Sequence, residues 1–171
     1  LRSALFDGAD DFLRSTSTSF DYTGSFTAVI GCMTPDAAGV RALFGKYTHG
    51  QDHQGYDVIL QAGIPRITLR GTSNIDTGDT GFTSVANQRK AIVFRCSPTG
   101  VVREMSGSRV TTPGTWAATV SPHPFALGRR GNSTSIQWQG SIYRALIIGR
   151  ALTDAEVGWA LTWCAAGGAN Q

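Results

Sequence analysis

The chain has 171 residues, of which 16% are charged, and a formal net charge of +3. This length suits a single core, so we expect one domain over residues 1–171. Glycine contributes 21 residues, threonine 19 and serine 14, which is typical of a β-rich chain with many turns. No apolar run reaches the roughly 18 residues of a membrane span, and the basic residues form no cluster that could follow a phosphate backbone. We therefore expect neither a transmembrane helix nor nucleic acid as a partner.

Segments in which apolar and polar residues alternate predict strands, and their spacing between turns favours a sandwich or barrel over βαβ units. In residues 66–70, Ile67 and Leu69 alternate with polar residues, which predicts one buried and one solvated face. Residues 97–100 have proline early and glycine last, as in the turn of a hairpin. The predicted strands are 25–33, 42–47, 55–60, 66–70, 90–96, 101–105 and 142–148.

The three cysteines, Cys32, Cys96 and Cys164, are an odd number, lie far apart and include no Cys-x-x-Cys pair. This pattern is typical neither of a zinc knuckle nor of a disulfide framework. Two of them fall in predicted strands and one on a helix face, so we expect buried free thiols.

Residues 153–165 are predicted to form a C-terminal helix. Thr153 and Glu156 have the spacing of a capping box, in which each side chain bonds the backbone N–H of the other residue. Leu152, just before the cap, can pack on Val157 as a hydrophobic staple. The sequence therefore gives a physical reason for this helix to begin at its first residue.

The predicted helix has an apolar stripe that we expect to pack against the strands. The stripe follows the i, i+3, i+4, i+7 pattern and consists of Val157, Ala160, Leu161 and Cys164. Trp159 and Trp163 lie four residues apart on a neighbouring face, where they would either cover further apolar surface or form a partner surface.

Residues 6–13, together with residues 138–142 and 150–157, form two blocks that resemble the laminin-G-like jelly rolls of the concanavalin A-like lectin and glucanase group. Residues 6–13, FDGADDFL, resemble the family's opening hairpin. Residues 138–142, WQGSI, followed by RALTDAEV at 150–157, resemble its closing strand and helix. The resemblance covers about residues 4–165. It implies an all-β fold: a two-sheet antiparallel jelly-roll sandwich with one short C-terminal helix.

The resemblance also implies a setting. Such domains occur as adhesion modules of extracellular proteins, as accessory domains of secreted bacterial glycosidases and as components of phage particles. We therefore expect a non-catalytic, lectin-like module on an extracellular or virion surface that recognises glycans or a cell surface. The alternative is a structural decoration or assembly domain of a phage particle with no sugar binding, whose partners would be a protein surface or further copies of itself.

Hydrolytic activity is not expected. Retaining glycosidases need two carboxylates about 5 Å apart. The chain has only two glutamates, Glu104 and Glu156, and the second is assigned to the helix cap. Where the family usually has an Asp-Glu pair in its closing strand, this chain has Tyr143 and Arg144, so no role of that pair carries over.

Asp7, Asp10 and Asp11 form an acidic cluster in the opening block. Their carboxylates would either accept backbone N–H groups in a tight turn, which we favour, or serve as calcium ligands. We expect no other cofactor.

His49, Asp52 and His53 occupy a predicted loop and could in principle hold a zinc ion or work as acid and base. No helix fixes the two imidazoles on one face, so we expect a solvated polar loop.

Sugar recognition needs aromatic faces and planar polar groups on loops held by rigid strands. We predict a ligand-binding set from residues of this chemistry at strand ends or in loops, although a place in the core is at least as good an interpretation of Trp116. The set is Tyr56, Asn74, Asp76, Trp116, His123 and Arg129.

Overall fold

The structure, a computed structural model, describes residues 3–16, 18–36, 38–47, 54–78, 81–82, 86–131 and 136–166. These residues form two antiparallel sheets and one α-helix. The first sheet has the strand order β1 (Ala4–Asp7), β13 (Gln139–Ile148), β3 (Phe26–Met33), β8 (Lys90–Ser97), β9 (Gly100–Met105) and β10 (Ser108–Pro113). The second has the order β11 (Ala117–Ala118), β6 (Ile64–Ser73), β5 (Gly55–Gln61), β4 (Val40–Gly45), β12 (Phe125–Leu127) and β2 (Leu13–Ser15), with β7 (Ile75–Asp76) paired to β6.

This architecture confirms the predicted two-sheet antiparallel sandwich. Each predicted strand lies on an observed one, and the predicted turn at 97–100 joins β8 to β9 as a hairpin in which Ser97 pairs with Gly100. The core lies between the sheets because alternate residues of the facing strands point inward, among them Ile30 of β3, Val58 of β5 and Ile67 of β6.

Strand β3 is buried on both faces. Phe26, Ala28 and Ile30 belong to the core between the sheets, whereas Val29 belongs to a second apolar cluster on the outer face of the first sheet. The α-helix α1 (Asp154–Ala166) covers that second cluster. A side chain at Gly31 would bring its Cβ to 2.5 Å from the carbonyl oxygen of Cys164, so the helix can approach β3 closely only because residue 31 is glycine.

The start of α1 has the predicted capping box. The Thr153 N–H donates to Oε2 of Glu156 at 2.9 Å, and the Glu156 N–H donates to Oγ1 of Thr153 at 3.3 Å. Leu152 and Val157 are both buried in the cluster beneath the helix. These contacts satisfy N–H groups that a helix start otherwise leaves without partners.

The predicted apolar stripe is confirmed in three of its four positions. Val157, Ala160 and Cys164 are buried, but Leu161 is only partly buried at the edge of the contact. All three cysteines are free and buried, as predicted.

The opening block differs from the expected hairpin. Strands β1 and β2 do not pair with each other: β1 pairs with β13 in the first sheet, and β2 pairs with β12 in the second. Residues 8–12 therefore connect the two sheets, and Gly8 makes the first bend with a φ of 84°.

Candidate functional site

A cleft lies on the outer face of the second sheet, on the opposite side of the sandwich from α1. Its floor follows from the alternation in β6: Ile67 and Leu69 point into the core, so Arg66, Thr68 and Arg70 point outward. The cleft has a volume of about 380 Å³. The polar face predicted for residues 66–70 is thus the floor of a cavity.

The walls of the cleft combine apolar and polar groups. Val40, Ile59 and Ile136 supply apolar surface, and Asp76 and Arg130 supply charge. Most of the lining residues are polar or charged, so the cleft can offer a ligand several hydrogen bonds beside a smaller apolar surface.

Asp76 is bonded from two sides. Its Oδ1 accepts a hydrogen bond from Nη2 of Arg66 at 2.8 Å and another from the Gly78 N–H at 3.1 Å. Arg66 also donates to the side-chain oxygen of Gln61. Partial burial acts to raise the pKa of Asp76, but the hydrogen bonds from Arg66 and Gly78 outweigh it, so the pKa is lowered. Asp76 is therefore ionised at neutral pH.

A second ion pair lies deeper in the same face. Asp57 of β5 is 0% exposed, and its Oδ2 lies 2.5 Å from Nε of Arg130. Burial raises the pKa of Asp57, and the charge of Arg130 only partly opposes this. A side chain at Gly45 would place its Cβ 2.9 Å from the Cβ of Asp57, so the neighbouring strand leaves room for the carboxylate by having glycine there.

The register aligns the two acids across the sheet. Asp57 pairs with Thr68, and Thr68 pairs with Asp76 on its other side. Three arginines face these two carboxylates, which leaves a surplus of one positive charge when all five groups are ionised. The ion pair of Arg70 is the longest of the three, with its Nη2 at 3.9 Å from Oδ2 of Asp76. Arg70 is thus the cleft arginine with the weakest internal pairing among the described residues.

Two of the six predicted ligand-binding residues lie at or near this cleft. Asp76 is in its wall, and Asn74 lies just before it in an exposed turn, where its Oδ1 accepts from the Gly71 N–H at 3.0 Å. Binding by either residue remains a prediction.

Tyr56 and Trp116 both lie in the core. The expectation that Tyr56 presents its ring to a ligand is therefore wrong, and for Trp116 the core interpretation holds. Tyr56 is 1% exposed and Trp116 is 3% exposed. The Tyr56 hydroxyl donates to the carbonyl of Phe20 at 3.1 Å, and Nε1 of Trp116 donates to the carbonyl of Arg70 at 3.2 Å. Trp116 therefore supports β6 from inside, where it cannot stack on a sugar.

His123 and Arg129 are buried away from the cleft, contrary to their expected place in an exposed binding set. His123 borders a separate cavity. The Arg129 guanidinium lies 3.4 Å from the ring centroid of Phe12, and its Nε donates to the carbonyl of Gly131 at 3.1 Å. The cleft instead contains the next residue, Arg130. The predicted loop with His49, Asp52 and His53 lies outside the described residues.

The acidic cluster has the turn contacts that we favoured. Oδ1 of Asp7 accepts from the Ala9 N–H at 2.7 Å, and Oδ2 of Asp11 accepts from the Asp7 N–H at 2.9 Å. The hydrogen bond from Ala9 is the main reason that the pKa of Asp7 is lowered. Carboxylate oxygens of Asp7, Asp10 and Asp11 lie within 4.8 Å of one another, and calcium binding by them remains a prediction.

The two tryptophans of α1 form an outward-facing pair. Trp159 is 64% exposed, and its ring stacks on that of Trp163 with centroids 6.2 Å apart and planes 11° apart. Trp163 has a second partner: the Arg144 guanidinium lies 4.6 Å from its ring centroid.

Both glutamates are engaged in ion pairs. Oε1 of Glu104 lies 2.7 Å from Nη2 of Arg95 and 3.1 Å from Nη2 of Arg109. Oε1 of Glu156 lies 2.6 Å from Nη2 of Arg150. Within the described residues, no helix is long and apolar enough to cross a membrane.

Neither a protein-family model nor a curated protein sequence matches the chain. Solved structures do match. The CBM40 module of the Ruminococcus gnavus IT-sialidase, bound to α2,3-sialyllactose, has a TM-score of 0.74 at 13% identity, over 94% of this chain and 96% of that one. Domain 4 of the extracellular arabinanase AbnA from Geobacillus stearothermophilus, in complex with arabinotriose, has a TM-score of 0.69 at 15% identity, over 93% and 76%. Domains LG4-5 of the mouse laminin α1 chain have a TM-score of 0.65 at 12% identity, over 88% and 44%.

At these identities the likeness concerns the fold. The chain folds as a laminin-G-like jelly roll of the concanavalin A-like type, which confirms the fold that the sequence resemblance implies, although the opening block is not a hairpin.

Proposed function

We propose that this chain is a non-catalytic carbohydrate-binding module, and that the cleft on the second sheet binds a glycan that carries a carboxylate. The observation that carries the proposal is the convergence of Arg66, Arg70 and Arg130 on one cleft. Among the described residues, the acids paired with these arginines are Asp76 in its wall and Asp57 buried beneath it. A surplus positive charge in a partly enclosed site favours an anionic ligand.

The chemistry of the cleft suits such a sugar. A guanidinium offers parallel N–H donors that match the two oxygens of a carboxylate, and Arg70 is the arginine with the longest internal ion pair. Apolar surface from Ile59 and Ile136 can contact the C–H face of a sugar ring, and the Gln61 amide can bond its hydroxyl groups.

The comparisons support a carbohydrate ligand. Two of the similar domains are known with bound oligosaccharides, sialyllactose in one and arabinotriose in the other. Sialyllactose carries a carboxylate, and arabinotriose is neutral, so the fold by itself does not fix the charge of the ligand. The charge preference rests on the arginines of this chain.

The non-catalytic part of the proposal rests on the two glutamates. Glu104 lies under an ion-pair network on the outer face of the first sheet, and Glu156 caps the helix. We place the module in a secreted or virion protein, on the outside of a cell or particle, because its low charge and high serine, threonine and glycine content agree with such a surface.

A second candidate function is assembly without sugar binding. The exposed Trp159 and its neighbour Trp163 favour it, since an exposed aromatic pair is typical of a surface that contacts a partner. This surface lies on the opposite side of the sandwich from the cleft, so the two functions can be tested separately.

A binding comparison with matched glycans tests the proposal. The purified protein would be titrated with an acidic oligosaccharide and with the same oligosaccharide after esterification of its carboxylate. We expect binding of the acid and a large loss for the ester. Arg70→Gln should weaken binding of the acid about tenfold to a hundredfold, the range for a charge-assisted hydrogen bond.

Arg109→Gln is the matched control, because it removes the same charge from an exposed position on the other face. It should leave binding unchanged. Equal binding of acid and ester would contradict the charge preference. Absence of binding to any glycan, together with self-association that Trp159→Ala abolishes, would favour the assembly function.

A further inference from the structure

Arg103 is a fully buried arginine in the interior of the sandwich. It lies on β9 of the first sheet, where Val101 and Met105 also point inward, and it is 0% exposed. Its guanidinium reaches the second sheet. Nη1 donates to the carbonyl of Pro65 at 2.7 Å and to that of Gly78 at 3.1 Å, and Nη2 donates to the carbonyl of Thr77 at 3.0 Å.

These three carbonyls flank the charged residues of the cleft. Pro65 directly precedes Arg66, and Thr77 and Gly78 directly follow Asp76. Arg66 and Asp76 form the 2.8 Å ion pair of the cleft wall. One buried side chain thus holds the backbone on both sides of that pair.

The segment after Asp76 is also held to β6, through Thr77. Thr77 accepts from the Ile67 N–H through its Oγ1 at 3.0 Å, and its own N–H donates to the Ile67 carbonyl at 3.2 Å. Strand β7 is only two residues long. Arg103 adds hydrogen bonds to the carbonyls of Thr77 and Gly78, which the contacts of Thr77 with Ile67 leave without these donors.

Stability alone does not account for an arginine here. A buried guanidinium loses its hydration, and replacing buried charged groups by apolar residues of similar volume is often neutral or stabilising. A hydrogen-bonded arginine does, however, fix the position of what it binds more exactly than apolar packing does, and a preorganised site avoids the entropic cost of ordering on binding.

We propose that Arg103 is a positioning residue for the cleft: from the opposite sheet, it holds Arg66 and Asp76 in the geometry that binds the ligand. The inference rests on the proposed function for its consequence in binding. Arg103 touches no ligand in this scheme and acts through the backbone of residues 65 and 77–78.

The test compares Arg103→Met, Arg103→Lys and a control, Arg144→Met. Arg144 also donates to a backbone carbonyl, that of Trp163 at 2.7 Å, but on the side of the sandwich away from the cleft. Two quantities are measured for each folded variant: the affinity for the acidic oligosaccharide, and the amide hydrogen exchange of Thr77 and Gly78 relative to the amides of β3.

We expect Arg103→Met to weaken binding about tenfold, as for one misplaced charged contact, and to speed exchange at Thr77 and Gly78 selectively. Arg103→Lys keeps a charged donor and should lie between wild type and Arg103→Met. Arg144→Met should change neither quantity, whatever it does to global stability. If Arg103→Met does not fold, Arg103→Lys alone decides the outcome by the same two measurements.

The inference is overturned if the Arg103 variants bind like wild type, if exchange at Thr77 and Gly78 does not change, or if Arg144→Met loses as much affinity. If wild type binds the glycan, Arg70→Gln does not and the Arg103 variants bind like wild type, then only the positioning role is refuted. Wild-type protein that binds no glycan would refute the proposed function, and with it the consequence for binding.

Discussion

The buried ion pair beneath the cleft predicts an unusual dependence of stability on pH. Arg130→Met would leave the Asp57 carboxyl, 0% exposed, without the cation that lies 2.5 Å from it. A buried carboxylate without a partner is too costly to remain ionised, so the folded variant should keep Asp57 protonated at neutral pH.

The magnitude follows from the linkage of protonation and folding. In the unfolded chain an aspartate titrates near pH 3.9, so protonating Asp57 at pH 7 costs about 1.4 kcal/mol for each of about three pH units, or about 4 kcal/mol. In Arg130→Met the charge of Arg130 no longer opposes the rise in the pKa of Asp57 that burial causes, so the folded variant holds a proton that its unfolded state has lost. Stability of Arg130→Met should therefore fall as pH rises from 4 to 7, and most of the cost should vanish at pH 4.

Asp57→Asn provides the contrast. It leaves the guanidinium of Arg130 buried with a neutral partner, and an arginine cannot lose its proton in this range. Its cost at neutral pH should be about 3–5 kcal/mol, as for other broken buried pairs, and the substituted residue adds no titration of its own between pH 4 and pH 7.

Urea unfolding of the three proteins at pH 4, 5.5 and 7 measures these free energies. The reasoning requires the Arg130→Met and wild-type curves to converge towards low pH while the Asp57→Asn and wild-type curves stay apart. Parallel pH profiles for Arg130→Met and wild type would refute it.

Three further predictions concern the helix. Val157→Ala should lower the free energy of unfolding by about 2–3 kcal/mol, because it removes two buried carbon atoms and leaves a cavity. Leu161→Ala should lower it by only about 1 kcal/mol, because that side chain is partly exposed. Urea unfolding that ranks Leu161→Ala as the more destabilising would contradict the observed packing. The hydrogen bond from Arg150 is the main reason that the pKa of the Glu156 carboxyl is lowered to about 2. Its contribution to stability should therefore be complete above about pH 4.5 and be lost as pH falls towards 2. Thermal unfolding followed by circular dichroism should show the difference in Tm between wild type and Glu156→Gln shrinking over that range, and a constant difference would count against it. Acrylamide should quench the tryptophan emission of wild type more strongly than that of Trp159→Phe, because Trp159 is 64% exposed, and equal quenching would mean that a partner or a second copy covers the residue.

The strands and the helix could be predicted because their signals are local. Alternation in 66–70 is a property of five consecutive residues, and the capping box of Thr153 and Glu156 depends on contacts three residues apart. The opening block could not be predicted in the same way. Whether β1 and β2 pair with each other or join different sheets depends on β13 and β12, which come more than 100 residues later.

The candidate site shows the same limit. Arg66 and Arg70 lie on one face of one strand, which the alternation reveals, but Arg130 joins them only because β4 and β12 bring distant segments beside β5. For Tyr56 the expected exposure is wrong for a local reason, because the residue shares the inward face of β5 with Val58. That alternation is visible in the sequence and is a stronger signal than the aromatic chemistry of the residue.

The most direct test of the account is to map the bound glycan on the protein. In a titration of the isotopically labelled chain with an acidic oligosaccharide, followed by NMR, the account predicts that the largest shift changes occur at the amides of 66–70 and 76–78 and that α1 is unaffected. Shift changes centred on Trp159 and Trp163, with the amides of β6 unchanged, would contradict it.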